Sequence, residues 1–367
     1  MRSRGRSEQD AAREREEAAV RRTTVGAVRS TGVGSLPGTS VRDAISLVTG
    51  EFPELVFLPE LPARGPGADM IGRAASLLGQ VSDDFAVATT PTGWRIADLQ
   101  GVDMRRAGAY WREDLETFEE FCHMATGEVK VQLTGPITLA ASLELVRGER
   151  VLSDEGAVRD LVAAHREAVS LHLADVRRRL PKASLIVQID EPSMDAALQG
   201  TIRTQSGWGK IWPLDEAQVL AWHKELAATI VAGGGTPWMH SCAPHWPLEL
   251  AHAAGYRGIS GDVSLLQDRD EDALASAIEA GVVWVAGVIP TLDEQLVAAP
   301  RTEAKAAELI RHRYQRIGFP DSVLAKSLIV STSCGLGHTS QKAARVAISR
   351  SREVARVLND MLEGVDE

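Results

Sequence analysis

Cysteine is scarce in this sequence. Cys122, Cys242 and Cys334 are the three among 367 residues. They are too few and too dispersed for a disulfide framework. An odd count in a large acidic chain fits a reducing, cytoplasmic compartment. Long apolar runs are missing too, and no stretch approaches the length of a membrane span. Nor is there excess positive charge: 40 Lys and Arg face 50 Asp and Glu, a formal net charge of −10. That balance argues against nucleic acid as a partner, because phosphates are neutralised by clustered Lys and Arg. It also argues against docking on anionic membranes. No low-complexity linker and no short repeat divides the chain. The opening "MRSRGRSEQDAAREREEAAVRR" interleaves Arg with acidic residues and has no apolar core segment, so it reads neither as a secretion signal nor as a transit peptide. Residues 1–24 are expected to be a solvated tail, disordered or a frayed helix, ahead of a single domain over 25–367.

What the chain does have is 44% hydrophobic and 25% charged residues, enough for a sizeable core. One unit recurs: a short β-branched run ends in Gly, Pro or a polar residue, and a stretch with helical spacing follows. The runs are "VRSTGVGSLP" from Val28, "ELVFLPEL" from Glu54, "VKVQLTGP" from Val129, "SLIVQIDEP" from Ser184, "GTPWMHSCA" from Gly235, "YRGISGDVS" from Tyr256, "VVWVAGVIP" from Val282 and "SLIVSTSCGLG" from Ser327. Helical patterns lie between them, as over Asp154 to Leu180 and Asp215 to Gly235, both opening on acidic residues. Near-continuous apolar strands alternating with helices describe a parallel sheet covered on its outside. Eight such units predict a (β/α)8 TIM barrel, with a doubly wound open sheet as the alternative. The reactive residues favour the barrel. Ser35, Glu60, Thr134, Asp190, Glu191, His240, Cys242, Asp262 and Cys334 all fall at the ends of the runs, where barrels of this kind keep their chemistry.

His240 and Cys242 stand two apart in "WMHSCAPHW", so on a strand both side chains point to one face. An imidazole nitrogen and a thiolate suit Zn²⁺. Cys334, at the end of the last run, offers a second sulfur, and Asp262 a carboxylate oxygen. A His/Cys/Cys set leaves a fourth position open or loosely held, which is the mark of a catalytic zinc. The competing explanations are two small buried hydrophobes beside a core histidine, or a Cys242–Cys334 disulfide, which a reducing compartment disfavours. Cys122 lies in the helical pattern "DLETFEEFCHMATGE" and reads as packing.

"TGVGSLPG" lacks the spacing of a dinucleotide fingerprint. Its glycines are expected to let the backbone approach a small ligand, whose carboxylate Ser35 and backbone N–H groups would hold. Asp190 and Glu191 are adjacent on a strand and face opposite ways, so one is expected in the pocket and the other outside it. Glu60 and the pocket-facing carboxylate need partners if buried. A substrate ammonium is one choice and a neighbouring Arg or Lys the other.

In order along the chain, "TGVGSLP", "LPELPARGPGADM", "QLTGPITLA", "QIDEP", "HSC", "GISGD" and "SCGLG" resemble the motifs of the cobalamin-independent methionine synthases, over the catalytic C-terminal barrel of that family, from Val28 to the end. The resemblance implies a methyltransferase of the uroporphyrinogen decarboxylase/methionine synthase barrel type, in which a zinc-bound homocysteine thiolate accepts a methyl group. It implies His240, Cys242 and Cys334 as zinc ligands, with Asp262 where the family has a glutamate ligand. It places Ser35, Glu60 and Asp190 at the amino-acid end of homocysteine, Asp190 counting also as catalytic. Two departures stand out. The full-length family carries a second, N-terminal barrel, for which this chain has no room. The family also has a histidine after the seventh strand that helps protonate the folate leaving group, whereas "VAGVIPTLDEQ" has none. A tertiary amine leaves poorly without a proton, while reduced corrinoid cobalt needs none. The expected donor is therefore a methyl-corrinoid, free or on a partner protein, rather than methyltetrahydrofolate, with His338 as the substitute acid if folate is used. Two other functions compete: a metal-free decarboxylase of the uroporphyrinogen decarboxylase type, which would need a basic cleft, and a non-catalytic barrel that senses zinc or an amino acid.

Overall fold

In a computed structural model of the chain, residues 27–298 and 303–363 are described; the expected tail over 1–24 lies outside them. Eight parallel strands form one sheet: β1 (Arg29–Ser30), β2 (Leu55–Phe57), β3 (Glu128–Thr134), β4 (Ser184–Asp190), β5 (Gly235–His240), β6 (Gly258–Asp262), β7 (Val283–Ile289) and β8 (Leu328–Thr332). Each lies within one of the β-branched runs, except that β3 begins one residue ahead of its run. The order is β1-β8-β7-β6-β5-β4-β3-β2, so the first two strands are the sheet's ends. A parallel bridge between Ser35 and Glu60 joins those ends, with Leu36 N–H donating to Glu60 O at 2.8 Å and Glu60 N–H to Gly34 O at 3.2 Å. The result is a nearly closed (β/α)8 barrel rather than an open sheet.

The helices covering it are α1 (Val41–Glu51), α2 (Met70–Val81), α3 (Val102–Cys122), α4 (Glu155–Arg179), α5 (Glu216–Ala232), α6 (Leu248–Ala253), α7 (Glu271–Glu279), α8 (Glu303–Arg316) and α9 (Gln341–Glu363). Helices α4 and α5 begin where the acidic residues place them. Asp154 and Asp215 cap them by accepting from Ala157 N–H and Gln218 N–H, contacts worth about 1 kcal/mol each. Between α2 and α3 a hairpin (Val87–Thr90 and Gly93–Ile96) forms a side sheet with Leu143–Glu144.

Strand alternation divides the side chains into two sets. Outward residues such as Val131, Val187, Ile189, Met239 and Ile259 join the large core under the helices. Inward residues make a small separate cluster of Leu55, Ile186, Trp238, Val285 and Ile329 at the N-terminal end of the barrel. Above it the inward positions turn polar: Lys130, Gln132 and Thr134 on β3, Gln188 and Asp190 on β4, His240 on β5 and Ser260 on β6 are all buried. The barrel thus has an apolar floor and a polar mouth. Cys122 packs in the core at the end of α3, where burial pushes its thiol up to about 11.

Candidate metal centre and active site

His240 ends β5, Cys242 follows two residues later, and Cys334 lies just past β8. Their ligand atoms all lie within 4.8 Å of one another. The two sulfurs are 3.3 Å apart, and both cysteines are free. The Cys334 thiol is drawn well below the ordinary range, first by its hydrogen bond to Cys242 and then by His240, and Cys242 is correspondingly raised. The imidazole is held from behind, Nδ1 to Ser260 Oγ at 3.0 Å. Its Nε2 is buried without a partner. An orphaned buried nitrogen beside two sulfurs is a costly arrangement unless something accepts its lone pair. One soft N/S₂ donor set with a position to spare fits a zinc ion.

Asp262 stands apart from this group. Its carboxylate accepts from Ser264 N–H at 2.8 Å and Ser264 Oγ at 2.6 Å, capping the turn Val263–Leu265. It also lines a crevice of about 820 Å³ at the ends of β6 and β7, together with Gly287, Thr291, Gln295, Lys305 and Ser333. His338 is exposed on the loop between β8 and α9.

The two neighbouring carboxylates diverge as strand geometry requires. Asp190 turns inward and accepts from Gln188 Nε2 at 2.7 Å. Burial raises its pKa to about 7, with His240 lowering it and Glu60 raising it. Glu191 turns outward and is fully buried. It accepts from Ile137 N–H (3.0 Å), Thr138 N–H (2.8 Å) and Thr138 Oγ1 (2.6 Å), and it lies 3.4 Å from His223 Nε2 on α5. Glu191 therefore belongs to the wall that fixes the β3 and β4 ends, and Asp190 to the pocket.

Glu60 is also buried, and desolvation raises its pKa against the pull of Arg73, Gln132 and Lys130. Its contact with Arg73 is long, Oε1 to Nε at 3.5 Å. Arg73 on α2 is committed elsewhere: it pairs with buried Asp114 and stacks on Trp111 at 4.2 Å from the ring centroid. Asp114 also takes Arg64 at 2.6 Å. Both partners that Glu60 could have, an arginine and a substrate ammonium, are thus compatible with its position. Ser35 Oγ accepts from Gly337 N–H at 3.1 Å, joining the loop after β1 to the loop after Cys334. The glycines of "TGVGSLPG" also have close neighbours within the barrel. A Cβ at Gly32 would meet the Phe57 ring at 2.6 Å, and one at Gly34 would meet Gln132 at 2.9 Å. They admit inward side chains of β2 and β3. Lys130, Gln132, Gln188 and Ser260 complete the pocket without belonging to any motif of reactive residues. Their signal in the sequence is the polar alternation within buried runs, as in "VKVQLT".

A family model described as the cobalamin-independent synthase, catalytic domain, matches residues 108–357. No curated protein matches. Among solved structures, a B12-independent methionine synthase from Shewanella sp. W3-18-1, in complex with selenomethionine, superimposes with a TM-score of 0.57 at 12% identity, covering 92% of this chain and 99% of that one. The β-methylaspartase of Clostridium tetanomorphum gives a TM-score of 0.44 at 11% identity, over 98% of this chain and 66% of that one. At 12% identity the first likeness is one of fold, and the fold is the barrel described above.

Proposed function

This chain belongs to the family of cobalamin-independent synthase catalytic domains, methyltransferases that act on homocysteine, and from that premise we propose that it makes methionine with a zinc ion held by His240, Cys242 and Cys334. The observation that carries the zinc reading is the buried, unpartnered Nε2 of His240 facing two sulfurs 3.3 Å apart. Zinc bound there would supply the Lewis acidity that keeps a substrate thiol deprotonated at neutral pH.

The chain's own residues do the rest. Asp190 and Glu60 receive the ammonium of homocysteine, and the loop carrying Ser35 receives its carboxylate. Asp262 would serve as a weak oxygen ligand only while no substrate thiol holds the fourth position, since oxygen is the least favoured partner in a sulfur-rich set. With the amino-acid end fixed by these groups, the sulfur is directed toward the crevice between β6 and β7, where the methyl donor enters. A reducing, cytoplasmic setting suits this reading, since it keeps Cys242 and Cys334 available as metal ligands.

The donor in this reading is a methyl-corrinoid. The family uses methyltetrahydrofolate, but "VAGVIPTLDEQ" offers no histidine to protonate a departing amine. Loaded protein and homocysteine are to be incubated with methylcobalamin and with methyltetrahydrofolate in turn, and methionine measured. Turnover with methylcobalamin and little with the folate is expected. The reverse result overturns the donor assignment and makes His338→Ala the next test, as His338 is the remaining candidate acid. A metal-free decarboxylase is disfavoured by the acidic pocket, and absence of zinc from the purified protein would revive it. A sensor would bind homocysteine and turn over neither donor.

A further inference from the structure

Lys130 is fully buried inside the barrel on β3. Burial draws its pKa down to about 8, while Asp190 and Glu60 hold it up, so near pH 7 it is an ammonium with three donors and no acceptor. Its Nζ donates to Val33 O at 2.6 Å and to Gln188 Oε1 at 2.8 Å, and lies 5.3 Å from the centroid of the Phe57 ring. A donor-only neighbour settles which end of the Gln188 amide faces it. The oxygen turns to Lys130, so the nitrogen turns away and donates to Asp190 Oδ1 at 2.7 Å and to Val33 O at 3.0 Å. An amide NH₂ can only donate. Asp190 Oδ1 is thereby tied down as an acceptor, and the orientation of the whole carboxylate at the mouth follows from it.

We propose that Lys130 is a positioning residue for substrate recognition: through the Gln188 amide it aims the Asp190 carboxylate so that the pocket selects thiols bearing an α-ammonium group. This deepens the homocysteine reading and rests on it. Without Lys130 the Gln188 oxygen loses its donor, and the amide is held from its nitrogen end alone, by Asp190 Oδ1 and Val33 O. An amide anchored at one end can shift, and the carboxylate bonded to it would move from its present direction. The proposal is specific to the ammonium end, since Lys130 touches none of His240, Cys242 or Cys334 through these bonds.

The test compares homocysteine with 4-mercaptobutanoate, the same thiol acid without its amino group, by calorimetric binding to zinc-loaded protein. The unaltered protein is expected to prefer homocysteine by about ten- to a hundredfold, the range for a charged hydrogen bond. In Lys130→Met that preference should fall below about threefold, with 4-mercaptobutanoate affinity and zinc content unchanged. A purely structural role would weaken both ligands alike and leave the preference where it was; that result overturns the proposal. Should Lys130→Met fail to fold, Gln188→Leu keeps the Lys130–Val33 bond and carries the same expectation and the same refutation. If the unaltered protein shows no preference at all, the homocysteine reading itself fails, which is a different outcome from a preference that survives in the variants.

Discussion

Replacing Asp190 with Asn should make the metal-free protein more stable, and increasingly so as pH rises. Asp190 is 8% exposed, and burial lifts its pKa from 3.8 to about 7. The sign follows from proton binding. In the window between those values the folded protein holds a proton that the unfolded chain has released, so stability falls as pH rises. Above about pH 7 the penalty is complete. From pH 5 to pH 7 it accumulates at up to about 1.4 kcal/mol per pH unit, or about 3 kcal/mol in all. Glu60, Lys130 and His240 share the field, so part of that change spreads to them. Asn carries no such penalty and can still accept from Gln188. The advantage of Asp190→Asn over the parent is therefore expected to grow by about 1–3 kcal/mol between pH 5 and pH 8. Urea unfolding followed by circular dichroism in the presence of a chelator measures it at each pH. Comparing the two pH values cancels whatever constant cost the new amide brings. The variant should bind homocysteine about ten- to a hundredfold more weakly. An advantage that is flat or shrinks with pH would refute the reasoning, because the pocket would then hold no carboxylate in want of a cation.

Further outcomes can be checked at the metal centre and its wall. About one zinc per chain is expected by metal analysis, lost in Cys242→Ser and Cys334→Ser and largely kept in Asp262→Ala; stoichiometric zinc in the double cysteine variant would sink the site. Ser260→Ala removes the hydroxyl behind His240 Nδ1 and should lower zinc affinity by about ten- to a hundredfold in a chelator competition, as loss of such outer partners does. Gly135→Ala would put a Cβ 2.2 Å from Glu191 Oε1, and a fully buried carboxylate has little room to move; a loss of about 1–3 kcal/mol is expected in thermal or urea unfolding, and an unchanged midpoint would mean that the Glu191 wall is softer than it looks.

The barrel was legible because its strands are buried on both faces and write themselves as β-branched runs between capped helices. The same runs hid half of the mouth. In "VKVQLT" and "IVQID" the polar residues Lys130, Gln132 and Gln188 alternate with apolar ones, which in a closed barrel marks the inward face, but within a mostly apolar run they pass for interruptions. His240, Cys242 and Cys334 could be brought together on paper because their chemistry is rare and each sits at a strand end. Arg73, Asp114 and Arg64 could not, since their meeting depends on how α2 packs against α3, and no local pattern records it. The two glycines of "TGVG" show a related limit: a need for close approach is visible in sequence, but the side chains that use it, here Phe57 and Gln132, are not. Asp262 shows the reverse. Its Asx turn with Ser264 is local and readable from "DVS", yet it says nothing about where the carboxylate goes when a metal is present.

The barrel's seam has a bearing on timing. The first two strands are two and three residues long and meet only through the Ser35–Glu60 bridge and its backbone bonds, with Thr31 Oγ1 reaching Leu55 O at 3.1 Å nearby. Every other strand pair shares a longer ladder or a neighbour on both sides. The seam is thus the cheapest place for the barrel to open, and amide hydrogen exchange should be faster at Leu36 and Glu60 than along β4. Because Ser35 and Glu60 lie on opposite sides of it, an amino acid held by both, as proposed above, would act as a stitch: it would bind fully only to the closed form and slow the opening that releases it. The breathing of two short strands would then set the pace at which product leaves, whatever the speed of the methyl transfer itself.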